Sequence, residues 1–319
     1  TGFIGRAVVE ELSNQFQEIH CFIRKSSNKS SLNDLNLKIN YHVGDILDKR
    51  SLAAAFNGMD LVINCSGLNS FWERDSKKFE MINVKGVKNI IEAALEAEVK
   101  KIVHVSTVMA YGFPDKMPFS EKTKPGPHMS RYARSKFMGD LEAWTLYEKK
   151  GLPLVIVYLA AVLGKGDPKD VMKIGMFLQG KINVLLNSKN QFTYLYIKDA
   201  AEAITKAALQ DDNIGEKYLV GKERLTTKEY FQLISDISGI PVPKRTIGKK
   251  SAFLISRLMT FWSRFTKKPP LMPIGLIKTQ FKGSLIFDDS KAKQELGLTY
   301  SPIKKAFAER IKQLKGEKD

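Results

Sequence analysis

The sequence predicts an α/β protein built on a doubly wound parallel sheet, and three observations carry that expectation. Apolar runs of strand length occur near residues 19–23, 39–43, 61–65, 102–105 and 154–159, without the polar alternation of a half-exposed strand. Amphipathic helical patterns separate them, for example at 79–97 and 132–147, as crossover connections between parallel strands require. The chain opens Thr1-Gly2-Phe3-Ile4-Gly5 and runs into a helical pattern through Leu12. That resembles the tail of a glycine-rich phosphate turn, without the first glycine and the strand that would precede it.

At 319 residues with 43% hydrophobic composition, the chain can bury one large α/β unit or two smaller domains. Residues 1–163 are expected to form the dinucleotide-binding domain. Beyond Gly164 the elements shorten and glycine and proline recur, at Gly166, Pro168, Gly239, Pro241 and Pro243. Helices are expected near 198–210, 226–238 and 303–314. Residues 164–319 therefore read as a smaller substrate region, partly interleaved with the sheet and capping its carboxyl edge, where such folds bind ligands.

Fifty-one basic against 34 acidic residues give a formal charge of +17. The basic residues show no aromatic-interleaved cluster, so a solvated basic surface is expected and nucleic acid is not. Cys21 and Cys65 lack C-x-x-C spacing and read as core residues of a reducing compartment. His20, His42, His104 and His128 have no ligand spacing, and no metal is expected. No apolar stretch is long enough to cross a bilayer and no signal peptide is visible, which predicts a cytoplasmic protein.

The chemistry centres on Tyr132-Ala133-Arg134-Ser135-Lys136, 25 residues after Thr107. A tyrosine and a lysine four apart share a helix face, and an ammonium there lowers a phenol's pKa toward working pH. The tyrosine then trades a proton with a substrate oxygen that Thr107 or Ser106 orients. Upstream, the second expected strand ends Phe22-Ile23-Arg24-Lys25. An acidic residue there would grip a ribose 2′-hydroxyl, whereas Arg24 and Lys25 suit a 2′-phosphate, so NADP is favoured and NAD is the alternative. In Gly44-Asp45-Ile46, Asp45 accepts from an adenine amino group and the neighbouring backbone amide at Ile46 donates to the ring.

With these motifs in this order, the chain resembles the extended short-chain dehydrogenases/reductases of the NAD-dependent epimerase/dehydratase superfamily. It is most similar to the dihydroflavonol-reductase-like, 3β-hydroxysteroid-dehydrogenase-like and hopanoid-associated sugar-epimerase-like branch. The resemblance spans the chain, through Gly2-Phe3-Ile4-Gly5, Gly44-Asp45-Ile46-Leu47-Asp48, Asn83-Val84-Lys85-Gly86, Val105-Ser106-Thr107, Tyr132-x-x-x-Lys136 and Tyr196-Ile197-Lys198-Asp199. It implies a Rossmann fold and roles for matching residues. Tyr132 would be the acid/base, Lys136 would hold the nicotinamide ribose, and Thr107, with Ser106 as neighbouring candidate, would polarise the carbonyl. Cys65-Ser66-Gly67 would flank the cofactor and Asn83 would support the site. Tyr158–Gly164 lacks the proline that the family often carries before the nicotinamide-flanking loop.

A substrate hint lies from Ser251 to Lys268. Phe253, Leu254, Leu258, Phe261, Trp262 and Phe265 form an apolar face, and Lys250, Arg257 and Arg264 recur every seven residues on the other. A helix of this kind packs on its own domain, covers an apolar cleft or makes a peripheral membrane contact. The leading expectation is an NAD(P)-dependent oxidoreductase acting on a carbonyl or secondary alcohol of a bulky apolar small molecule, such as a sterol or isoprenoid, with a homodimer as a candidate assembly. An NAD-dependent nucleotide-sugar epimerase/dehydratase is the alternative. A non-catalytic dinucleotide-binding or membrane-surface module is a further one, and intact Tyr132, Lys136 and Thr107 stand against it.

Overall fold

The computed structural model describes residues 1–32, 35, 37–266 and 268–316, apart from the side chains of residues 31 and 168–172. Its first half alternates helix and strand: α1 (Phe3–Leu12), β1 (Glu18–Ile23), β2 (Lys38–Val43), α2 (Lys49–Phe56), β3 (Leu61–Asn64), α3 (Lys77–Glu80), α4 (Val87–Glu96), β4 (Lys101–Thr107), α5 (Arg131–Lys150) and β5 (Leu154–Leu159). The second half adds β6 (Ala161–Leu163), α6 (Pro168–Leu178), β7 (Val184–Leu186), β8 (Gln191–Tyr196), α7 (Ile197–Leu209), β9 (Lys217–Val220), β10 (Glu223–Thr226), α8 (Thr227–Ser238), β11 (Arg245–Ile247), α9 (Lys249–Thr266), α10 (Ile274–Lys282), α11 (Ser290–Glu295) and α12 (Ile303–Lys315).

β1 and β2 form a parallel pair, and β3, β4, β5 and β9 form a parallel four-stranded sheet in that order. This is the Rossmann-type α/β architecture. Every residue of β5 is buried, as is the stretch from Ile102 to Ser106 in β4. Burial on both faces explains why these strands read as unbroken apolar runs. β9 and α7 come from the second half of the chain, yet β9 completes the sheet beside β5 and α7 packs on α1, β4 and β5. A mixed sheet, β10-β8-β6, leads to a second core formed by residues of α6, α8 and α12.

Three local features place the site. Ser130 caps α5 by accepting from the Ala133 amide at 3.1 Å, and Gly151, at φ +67°, ends that helix in the left-handed region. The helix expected over 79–97 is broken by a π-helical turn at Met81–Gly86, an irregularity that re-aims Asn83. Gly139 of α5 crosses this turn so closely that a Cβ would collide with the Asn83 carbonyl. α9 departs from the ordinary amphipathic pattern in another way. It buries its small residues, Ala252, Ser256 and Ser263, and leaves Leu254, Leu258, Phe261, Trp262 and Phe265 outside, with Phe253, Ile255 and Met259 half-buried between. Lys267 lies outside the described residues.

Candidate active site

Tyr132 and Lys136 lie one turn apart on α5, both buried, beside the carboxyl end of β4. Thr107, the last residue of β4, lies beside the Tyr132 phenol, and its Oγ1 accepts from the Met109 amide at 3.3 Å. Burial pushes the Tyr132 phenol above its ordinary value, and the Thr107 bond only partly opposes it. The lowering expected from the Tyr132/Lys136 spacing is therefore reversed in the protein alone. The reason is geometric: Lys136 Nζ turns to the Val105 carbonyl, donating at 3.1 Å, and its charge acts on Cys65 and His104 instead. Lys136 is itself lowered by burial, with Asp140 acting in the opposite sense.

Ser106 does not join them. Successive strand side chains point to opposite faces, and Ser106 donates its Oγ to Asp140 Oδ2 at 2.7 Å. The expectation that Ser106 shares the substrate-orienting role is corrected accordingly.

That contact reveals a buried network that sequence reasoning missed. Asp140 Oδ1 lies 3.1 Å from His104 Nε2, and Asn64 Nδ2 lies 3.0 Å from His104 Nδ1. Asn64 Oδ1 in turn accepts from the Ser66 amide at 3.0 Å and the Ser66 hydroxyl at 2.6 Å. An amide donating to Nδ1 places the imidazole proton on Nε2, facing Asp140. Burial and the Lys136 charge hold the His104 pKa below its usual value, which keeps the ring neutral. The signal was present in the sequence as Tyr132, Lys136 and Asp140 at i, i+4 and i+8, and as a histidine inside an apolar strand.

Asn83 clamps the loop after β3 to α5. Its Nδ2 donates to the Leu68 carbonyl at 3.0 Å and to Ser135 Oγ at 2.9 Å, while Oδ1 accepts from the Leu68 amide at 2.7 Å. A Cβ on Gly67 would stand 3.5 Å from Asn83 Oδ1 and 3.9 Å from Lys136 Nζ. At the other end, Gly2 caps α1 without a side-chain hydrogen bond, no acidic residue occupies the first turn, and open space surrounds its missing Cβ. The amides of Phe3, Ile4 and Gly5 are thus free for a pyrophosphate.

Arg24 and Lys25 are exposed in the turn after β1, where the Arg24 amide donates to Ser27 Oγ at 3.2 Å. Asp45 is exposed after β2, with Oδ1 accepting from the Leu47 amide at 2.9 Å. Ile46 packs against Gly86. Cys65 follows β3, its thiol pushed up to about 12 by burial, which leaves it a neutral wall residue. A free helix N-terminus, backbone-lined glycines and a basic turn suit a nicotinamide dinucleotide.

The profile of the NAD dependent epimerase/dehydratase family matches residues 1–221. The chain belongs to this family. Sterol demethylase protein B of Methylococcus capsulatus is 26% identical over 321 residues, covering 98% of this chain and 95% of that protein. A UDP-glucose 4-epimerase of Neisseria meningitidis serogroup B is 33% identical over 279 residues, covering 76% of this chain and 82% of that protein. The solved structure of gox2253 superposes with a TM-score of 0.83 at 26% identity, covering 99% of this chain and 96% of that one. As a family member, the protein is a nicotinamide-dependent enzyme acting at alcohol or carbonyl groups. The family match ends just past β9, so it includes the whole four-stranded parallel sheet.

Proposed function

We propose that this enzyme is an NADP-dependent oxidoreductase that interconverts a carbonyl and a secondary alcohol on a bulky apolar molecule of the sterol or isoprenoid kind. The observation that carries this reading is the placement of buried Tyr132 beside Thr107 at the end of β4, with Lys136 one turn along the same helix. The dinucleotide, when bound, supplies or accepts the hydride at the reacting carbon. Tyr132 passes its phenolic proton to the substrate oxygen in reduction and takes it back in oxidation. Thr107 hydrogen-bonds that oxygen, and Lys136 leaves the Val105 carbonyl to hold the ribose hydroxyls. Asn83 keeps the loop at Gly67 and Leu68 in place and carries no proton. Gly2 to Gly5 receive the pyrophosphate, Arg24 and Lys25 the 2′-phosphate, and Asp45 and Ile46 the adenine.

An apolar substrate is supported by the wall beside the phenol. The Phe71 ring stands edge-on to Tyr132 with centroids 6.4 Å apart, and Gly275, at the start of α10, packs against Phe71 and Ser130. The sterol-related name of a full-length relative points the same way. The identity with a UDP-glucose 4-epimerase favours the rival, an NAD-dependent epimerase or dehydratase that reoxidises its cofactor within one turnover. Titration with NADPH and NADH, followed by a panel of sterol and isoprenoid ketones, decides between them. Tighter NADPH binding and net NADPH oxidation on a panel member are expected. Copurified NAD, with no net NADPH consumption on any carbonyl, would favour the epimerase.

A further inference from the structure

α9 is built the wrong way round for a helix of a water-soluble protein. Ala252, Ser256 and Ser263 face the interior, while Leu254, Leu258, Phe261, Trp262 and Phe265 stand on the opposite side, each 54–66% exposed. The Phe265 ring touches those of both Phe261 and Trp262, so the side chains form one patch. Its area is on the order of 500 Å², at the upper end of what the largest apolar patch of a monomer covers.

Charge tells what covers it. Between Asp236 and Asp288 the sequence holds ten basic residues and no acidic one, so this stretch supplies ten of the seventeen net positive charges. On α9 itself Lys250, Arg257 and Arg264 follow one flank of the apolar arc at seven-residue spacing. Arg257 and Arg264 open on a groove of about 300 Å³ whose other walls are Thr260, Phe261 and Ile274. Two guanidinium groups beside an apolar ledge match a phosphate with acyl chains attached. A second copy of the chain fits less well, because a two-fold contact would bring the same basic flank against itself. An acid-free stretch with an aromatic-rich apolar face and a basic rim has the composition of a helix lying in a membrane interface.

We infer that α9 docks on an anionic lipid bilayer, with Trp262 and Phe265 in the acyl boundary and Arg257 and Arg264 on lipid phosphates. No helix among the described residues is long and apolar enough to cross a membrane, so the contact is peripheral. The docked face is joined to the site. Phe253 of α9 packs on Phe281 of α10, and the other end of α10 abuts Phe71, which meets Tyr132. A bilayer under α9 would thus lie next to the substrate wall. Docking stands apart from the reaction proposed above; only this consequence, entry of an apolar substrate from the lipid, rests on that reading.

The test is co-sedimentation of the full chain with vesicles of phosphatidylcholine alone, or of phosphatidylcholine with about 30% phosphatidylglycerol. Binding to the anionic vesicles, with a blue shift of tryptophan emission and weakening by salt, is the expected result. Trp262→Ser with Phe265→Ser, and separately Arg257→Glu with Arg264→Glu, should each lower the bound fraction at least about tenfold. NADPH affinity, measured on the same preparations without vesicles, should stay unchanged and so shows that the variants fold. Equal recovery in the supernatant with and without vesicles would overturn the proposal. So would a dimer that the Trp262/Phe265 substitutions convert to a monomer, since the patch would then be a protein interface.

Discussion

Tyr132 holds its proton more tightly than a free tyrosine, because burial penalises the phenolate and the Thr107 bond offsets this only in part. With its pKa above the usual value of about 10, the group is a standing acid at neutral pH. Carbonyl reduction, which consumes that proton, should have a rate nearly independent of pH from about 6 to 9. Alcohol oxidation, which needs the phenolate, should climb steadily over the same range. A reduction rate that falls across neutral pH would show that another group donates. Tyr132→Phe should cut kcat by about 10²- to 10⁴-fold while leaving NADPH affinity intact. Thr107→Val should also lower kcat, whereas Ser106→Ala should mainly affect stability, because its hydroxyl is spent on Asp140. A loss of activity from Ser106→Ala equal to that from Thr107→Val, without loss of stability, would reverse the two assignments.

At the scale of elements, α5 acts as a rail whose one face carries Tyr132, Lys136 and Asp140, and β4 supplies a partner to each: Thr107, the Val105 carbonyl, and His104 with Ser106. His104 gives this pairing a pH signature. Its folded pKa lies below the unfolded value of about 6.5, so the unfolded chain binds more protons just below that pH. Stability should therefore be full above about pH 6.5 and fall as pH drops toward the depressed folded value. His104→Gln should flatten that slope in urea titrations, and an unchanged slope would place its origin elsewhere. Gly139→Ala should cost about 1–3 kcal/mol, because the new methyl meets the Asn83 carbonyl, and it should weaken NADPH binding by displacing the Asn83 clamp. The rail was legible in part. The i, i+4 relation of Tyr132 and Lys136 is a property of the helix alone, and the unbroken runs of β4 and β5 follow from their burial on both faces, whereas β1 and β2 stay largely half-buried or exposed. Asp140 was passed over because an aspartate on a charged helix ordinarily faces solvent, and only its contact with His104, 36 residues earlier, draws it inside. Ser106 and Thr107 could not be ranked, since both meet α5 and nothing in the spacing says which stands by Tyr132 and which by Asp140. The outward turn of α9 was equally hidden: periodicity finds an apolar arc and is silent about which side the protein buries.

Over the whole molecule, the two cores are held together by shared residues. Ile4 and Ala7 of α1, Val162 of β6 and Phe192 of β8 pack against both, and β9 returns from the second half to close the parallel sheet. Neither core can lose its packing without exposing apolar surface of the other, which predicts one cooperative unfolding transition despite the two-part organisation. Phe307, fully buried in the second core, provides the test. Phe307→Ala should cost about 3–5 kcal/mol, and it should shift the midpoint seen by far-ultraviolet circular dichroism and by Trp144 fluorescence together, although Trp144 packs against the first core. NADPH held at about 100 times its Kd should add close to 2.7 kcal/mol to that same transition in both proteins, because α1, whose amino end is the proposed phosphate site, belongs to both cores. Two separated transitions, with NADPH raising only one and Phe307→Ala lowering only the other, would mean that the cores fold independently and that α1 transmits nothing between them.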